Sequence, residues 1–149
     1  MIPPDFVRAL PEHTERLLES IAAYYAFDGI DFDANRVRSA LQLLFESPAL
    51  AEAWLIRDQA GFVGHFVLSF GFDIEFGGRQ ATLTELYLEE RARGRGFGSA
   101  ALRFMQDRLA GVGIRTLELQ AEDDNLEAQQ FYRKAGFVAE TRVPFTKQW

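Results

Sequence analysis

The chain is 149 residues long with a net charge of −6, two histidines and no cysteine. That length fits one domain spanning 1–149, and a 48% apolar, 13% aromatic composition excludes disorder. The missing cysteines exclude disulfides and thiolate metal sites, so no metal is expected, and no run of about 18 apolar residues predicts a membrane span.

Phe6 to Leu10 reads as a short first strand. Pro11 suits the first turn of a helix, and Leu17, Leu18, Ile21, Ala22 and Tyr25 recur at helical spacing until about Phe27. Asp28-Gly29 breaks it. A second helix is predicted after Asp33, with Val37, Ala40, Leu41 and Leu44 on one face, stopping near Pro48. The period then changes to two: Ala51 to Arg57 reads as a strand and Asp58-Gln59-Ala60-Gly61 as a turn. Beyond it, Phe62, Phe66, Leu68, Phe70, Phe72, Ile74 and Phe76 hold even positions, the pattern of a long strand with one buried face. His65, Ser69, Asp73 and Glu75 fall on the other side. Gly77-Gly78 turns the chain back into a strand from Thr82 to Leu88.

Arg91-Ala92-Arg93-Gly94-Arg95-Gly96-Phe97-Gly98 follows, then a helix from about Phe97 that ends near Gly111 or Gly113. Leu117, Leu119 and Ala121 alternate as a further strand. Asn125 suits the cap of a short helix through Ala128, Phe131, Tyr132 and Ala135, closed by Gly136, and 137–148 leaves room for one or two final strands around Pro144. The order predicts a mixed α/β (α+β) fold: an antiparallel meander, then a strand–helix–strand unit with parallel strands.

The glycine turn suits phosphate. Glycines let backbone N–H groups close on an anion, and a helix N-terminus adds partial positive charge. A P-loop would need a lysine, which is absent. A dinucleotide fold would want a small residue where Ser99 stands, and would place the motif after the first strand.

Arg91-x-x-Gly94-x-Gly96 resembles instead the acetyl-CoA-binding turn, Q/R-x-x-G-x-G/A, of the GNAT superfamily of N-acetyltransferases. A second block, Asn125 to Phe137, is similar to that family's N-x-x-A-x-x-F-Y-x-x-x-G-F segment. The resemblance implies a mixed sheet of about six or seven strands, with a splayed parallel pair at its centre and helices on both faces. It also implies acetyl-CoA as acyl donor and contacts to coenzyme A from Leu86, Tyr87, Leu88, Arg93, Gly94, Arg95, Gly96, Phe97, Gly98, Ser99, Asn125, Ala128 and Phe131. A homodimer is a family-level expectation.

The same resemblance makes Tyr132 the general acid for the leaving thiolate and Glu85 the first candidate base. Other duties fit several of these residues as well: surface charge for Arg93 and Arg95, capping for Asn125, core packing for Tyr132, an arginine partner for Glu85. Asp73 and Glu75 on the polar strand face, and Asp28 near the first helix end, would contact a cationic acceptor, or serve as solvated face and turn.

The expected activity is acetyl transfer to a primary amine of a small, cationic acceptor by direct attack, since no cysteine can carry an acyl intermediate. The alternative is a non-catalytic acyl-CoA sensor or interaction module, or acetylation of a protein N-terminus or lysine. The acidic balance disfavours nucleic acid as a partner. The start of the chain lacks the basic and apolar regions of a signal peptide, so a cytoplasmic location is expected.

Overall fold

A computed structural model describes residues 2–149. Along it run β1 (Asp5–Arg8), α1 (Thr14–Asp28), α2 (Ala34–Glu46), β2 (Ala51–Asp58), β3 (Gly61–Asp73), β4 (Gly78–Leu88), α3 (Phe97–Gly111), β5 (Leu117–Leu119) and α4 (Leu126–Lys134). The strands form one sheet in chain order, antiparallel from β1 to β4 and parallel between β4 and β5. On one face α1 and α2 close over Ala53 and Leu55 with Leu17, Leu18, Ile21 and Leu41. On the other, α3 and α4 pack over Trp54, Phe66 and Leu68, with Phe97, Ala101 and Met105 supplied by α3. Each large apolar side chain buried here stabilises by about 1.5–3 kcal/mol.

Local chemistry sets the element ends. Gly29, at φ 71°, stops α1 in a left-handed turn and donates its N–H to Tyr25 O. Asp33 caps α2 by accepting from the Asn35 and Arg36 amides, and Asn125 caps α4 by accepting from Ala128. Glu52, buried on β2, ties α3 to the sheet: Arg108 donates from Nε (3.1 Å) and Nη2 (2.8 Å), and Trp54 Nε1 donates at 3.0 Å. Burial alone would raise the Glu52 carboxyl, but the Arg108 and Trp54 hydrogen bonds hold it below the ordinary glutamate range.

Two register slips redirect side chains. Between β2 and β3 the ladder passes from Ile56↔Gly64 to Arg57↔Phe62, leaving Val63 as an extra residue. Phe62 therefore packs with the α1–α2 cluster while Val63 joins the α3 core. The even-numbered aromatic run is thus not one buried face, contrary to the pattern expected from alternation. Its distal end differs too. β2 pairs no further than Ala51↔Ser69, so the hairpin tip extends past its cover, with Phe72 73% and Ile74 85% exposed. Between β3 and β4 the ladder passes from Val67↔Glu85 to Leu68↔Leu83, making Thr84 the extra residue. Leu83, Leu86 and Leu88 then share the α3 face, and Glu85 and Tyr87 turn together toward α1.

The sheet has five strands among the described residues, where about six or seven are expected. The difference lies in 137–149, which carries no strand. Pro144 removes a ladder donor there, and Val143, Phe145 and Trp149 stand exposed with no sheet face to bury against. Among the described residues no helix is long and apolar enough to cross a membrane.

Gly64 sets the distance between β3 and the end of β4. A Cβ built on it would lie 2.1 Å from Tyr87 O and 3.1 Å from Leu88 Cα, both backbone atoms. Gly64→Ala should therefore displace β4 and destabilise the protein by about 1–3 kcal/mol, read as a lower urea midpoint with an unchanged slope.

Candidate active site

The parallel ladder of β4 and β5 ends at Leu83↔Leu119, so the five residues from Thr84 to Leu88 have no ladder partner on that side. The chain then makes a tight turn over Glu90–Ala92 and enters the glycine segment. Gly94 (φ 71°) and Gly96 (φ 78°) are both left-handed, a conformation that costs other L-residues about 1–2 kcal/mol. Gly98 serves differently: it makes room for the Phe131 ring of α4, whose Cζ would lie 3.0 Å from a Cβ built there. Phe97 is buried and fixes the first turn of α3 in the core. The N–H groups of Phe97, Gly98 and Ser99 open the helix, and Ala100 is the first to reach a helical acceptor, Gly96 O at 3.0 Å. A row of free donors at a helix N-terminus, with no Cβ at 94 or 96, fits a pyrophosphate.

Side chains around this turn hold it rather than reach outward. Asp58, in the β2–β3 turn, accepts from Arg91 Nη1 (2.9 Å) and Arg95 Nη1 (3.1 Å). Burial would raise the Asp58 carboxyl, but the Ala60 amide and the two guanidinium groups keep it below the ordinary aspartate range. Arg95 also lies over Phe97, 4.5 Å from the ring centre. Arg93 donates from Nε to Leu88 O (2.9 Å) and covers Phe27 and Tyr87 at 4.5 and 5.7 Å.

Glu85 lies on the α1 side of β4. Its Oε1 is 2.8 Å from His65 Nε2, and its Oε2 accepts from the Tyr25 hydroxyl at 3.0 Å. His65 is fully buried, and its Nδ1 lies 2.5 Å from the buried Ser20 Oγ. Glu85 thus pairs with no arginine. Around it stand Tyr24, in ring contact with Tyr25, His65 and Tyr87, and Phe27 beside Tyr87. The Tyr24 hydroxyl is pushed up to about 12, first by burial, then by the charges of Asp28 and Glu85, with a smaller contribution from Tyr132. Tyr25 is pushed up to about 12 by burial and by Glu85. Tyr132, on α4, packs between Phe131 and Phe137, and burial raises its hydroxyl. Three of the four tyrosines therefore stand around Glu85, and Tyr132 packs on the α3 side.

The structure brings Glu85 and Tyr87 together beside Tyr24 and lays Arg93 over Tyr87, with Leu86 and Leu88 turned to the α3 core, while Asp28 and Tyr132 are near enough to add to the rise of the Tyr24 hydroxyl. Asn125 and Ala128 meet in the cap of α4. Asp73 and Glu75 lie elsewhere, at the hairpin tip. Asp73 is six register steps past Val67, the partner of Glu85, or about 20 Å along the strand. Its carboxylate accepts from the Glu75 amide, and Glu75 pairs with Arg142 at 3.4 Å. Sequence reasoning passed over Ser20, Tyr24, Tyr25 and His65 as contributors. The available signal was weak: Ser20 and Tyr24 are one turn apart on α1, and His65 holds a polar-face position opposite Tyr87.

This fold, with a splayed parallel pair and a glycine turn leading into a helix, is that of an acyl-group transferase. The chain belongs to the acetyltransferase (GNAT) family, whose sequence profile matches residues 15–137. An integron cassette protein from the mobile metagenome of Cole Harbour salt marsh is 25% identical, with a TM-score of 0.85 over 96% of this chain and 89% of that one. An acetyltransferase predicted in Clostridium acetobutylicum, whose structure was solved with acetyl-CoA, is 15% identical with a TM-score of 0.81 over 97% and 96%. An aminoglycoside acetyltransferase from an uncultured soil metagenomic sample, in complex with trehalose, is 14% identical with a TM-score of 0.78 over 98% and 95%. At these last two identities the likeness is one of fold. No protein with a curated description matches the chain in sequence.

The Asp58 tie yields a prediction. Asp58→Asn keeps the turn but loses both ion pairs, so coenzyme A should bind about tenfold more weakly by calorimetry, the equivalent of one charge-assisted hydrogen bond. Because the native carboxyl lies below its unfolded value, the tie holds above the ordinary aspartate range. It is lost as pH falls through the native value.

Proposed function

We propose that the protein transfers the acetyl group of acetyl-CoA to a primary amine of a small, cationic acceptor. The observation that carries this reading is the carboxylate of Glu85, held by His65 and Tyr25 among the aromatic rings of α1 and β4. An ammonium group is suited to such surroundings, through Coulomb attraction to Glu85 and Asp28 and cation–π contact with Tyr24 and Tyr87. The net charge of −6 favours the same class of acceptor.

Acetyl-CoA would supply the acyl group as an activated thioester. The amides from Gly94 to Ser99 would hold its pyrophosphate, and the main chain of Leu86 to Leu88, open toward β5, would hold its arm. Glu85 takes a proton from the acceptor's ammonium, freeing the nitrogen lone pair for attack. As the C–N bond forms and the C–S bond breaks, Tyr132 gives its phenolic proton to the departing sulfur, and the second proton that the nitrogen sheds on becoming an amide passes to solvent, from which the phenol is restored. Burial raises the Tyr132 hydroxyl above the ordinary tyrosine value, which favours the protonated form that an acid needs. No cysteine is present to take the acetyl group first, so the attack is direct.

Two measurements test this. Saturating coenzyme A should raise the melting temperature by several degrees, and no rise would remove the phosphate cradle. A panel of polyamines, amino acids, amino sugars and peptides should then contain acceptors that release free thiol from acetyl-CoA. Binding without release from any of them would favour a sensor. With the best acceptor, Tyr132→Phe should lower kcat by about a hundredfold or more at unchanged KM for acetyl-CoA, and an unaltered kcat would exclude Tyr132 as the acid.

A further inference from the structure

The chain Ser20–His65–Glu85 crosses the core from α1 to the cleft, and the acetyl-transfer reading uses only its last member. Ser20 is 2% and His65 0% exposed, while the Glu85 side chain reaches 16%. The polar line therefore has one exit to solvent, and it is the candidate base. The remaining neighbours of His65 are Tyr24 from α1, Tyr87 from β4 and, across the ladder on β2, the apolar Leu55. Among the described residues no arginine or lysine pairs with Glu85, so its orientation rests on His65 and Tyr25 alone.

We propose that His65 is a positioning residue for acetyl transfer, one that fixes the Glu85 carboxylate, and that Ser20 satisfies the other ring nitrogen of the tautomer that Glu85 sets. This rests on the transfer reading above. The hydrogen-bond chemistry allows little else. A carboxylate oxygen can only accept, so the ring proton facing Oε1 must sit on Nε2. With Nε2 as donor, Nδ1 of the uncharged ring carries only a lone pair, and the Ser20 hydroxyl donates to it. Tyr25 holds the second oxygen from the opposite side. One acceptor site on each oxygen is thus occupied, which leaves a second on each to receive the amine's proton, and for such a group a misplacement of about 1 Å costs about a hundredfold in rate.

A core placed there for stability alone would be better apolar, since buried polar groups contribute little net free energy when satisfied. The test uses this difference. In the acetyl-transfer assay with the best amine, His65→Leu should lower kcat by about 10- to 100-fold, with coenzyme A affinity unchanged and, once Ser20→Ala removes the hydroxyl left without its partner, the melting temperature no lower. His65→Gln, whose side-chain N–H can reach the position of Nε2, should restore most of that loss. Wild-type kcat in His65→Leu overturns the proposal, as does an equal loss of kcat in both variants. Should His65→Leu fail to fold, the double variant Ser20→Ala/His65→Leu, which removes both polar partners, takes its place under the same criteria.

An independent readout needs no substrate. The chain has only His13 and His65, so nitrogen-15 imidazole spectra can be assigned with a His13→Asn variant. A proton on Nε2 of His65 is expected, and a bare Nε2 overturns the link to Glu85. If the wild-type protein acetylates no amine, the transfer reading fails, and the tautomer still decides the link by itself.

Discussion

Beyond Leu83, β4 is held by β3 alone. The parallel rungs with β5 stop there, and the last residues of β4 keep their place only because β3 approaches closely. Gly64 makes that approach available, since any side chain would collide with the Tyr87 carbonyl. One edge of the strand is left open, and its outer residues point to two different faces. In the proposed reaction the open edge and the glycine turn serve the donor, and Glu85 and Tyr87 serve the acceptor. A sheet fully paired through Leu88 would have closed the gap where the two sides meet.

The bulge at Thr84 does comparable work along the strand. Without the extra residue, the parity that buries Ala81 and Leu83 would carry Glu85 into the α3 core, where a carboxylate has no partner. With it, Leu86 and Leu88 continue the apolar face and Glu85 meets His65 and Tyr25. Farther on, Asp58 clamps the glycine turn through Arg91 and Arg95, so the row of amide donors is fixed before any ligand arrives. That arrangement reduces the ordering cost of binding.

Much of this was legible in the sequence because it is local. The Asn125 cap, the turn at Asp58, the helix beginning at Phe97 and the left-handed glycines are each specified within a few residues. The alternation from Phe62 to Phe76 was legible only in part. A period of two is blind to a bulge, which exchanged the faces of Phe62 and Val63, and it does not reveal where a strand outruns its helices. For that reason Asp73 and Glu75 read as acceptor contacts or as a solvated face, and they stand at the hairpin tip. The line from Ser20 through His65 to Glu85 was not legible at all. Its members are 45 and 20 residues apart, and they meet only because helix packing and strand register coincide. Likewise, alternation around Pro144 suggests a strand but cannot supply a partner for one.

The gathering of three tyrosines around Glu85 has a spectroscopic consequence. Trp54 is buried against Phe66 in the core that Tyr132 also joins, and Trp149 is fully exposed in the C-terminal segment. Neither indole lies among those three phenols. Three of the four phenol ring resonances of the unlabelled protein therefore report one place. A ligand entering the cleft is visible in them without a probe being attached.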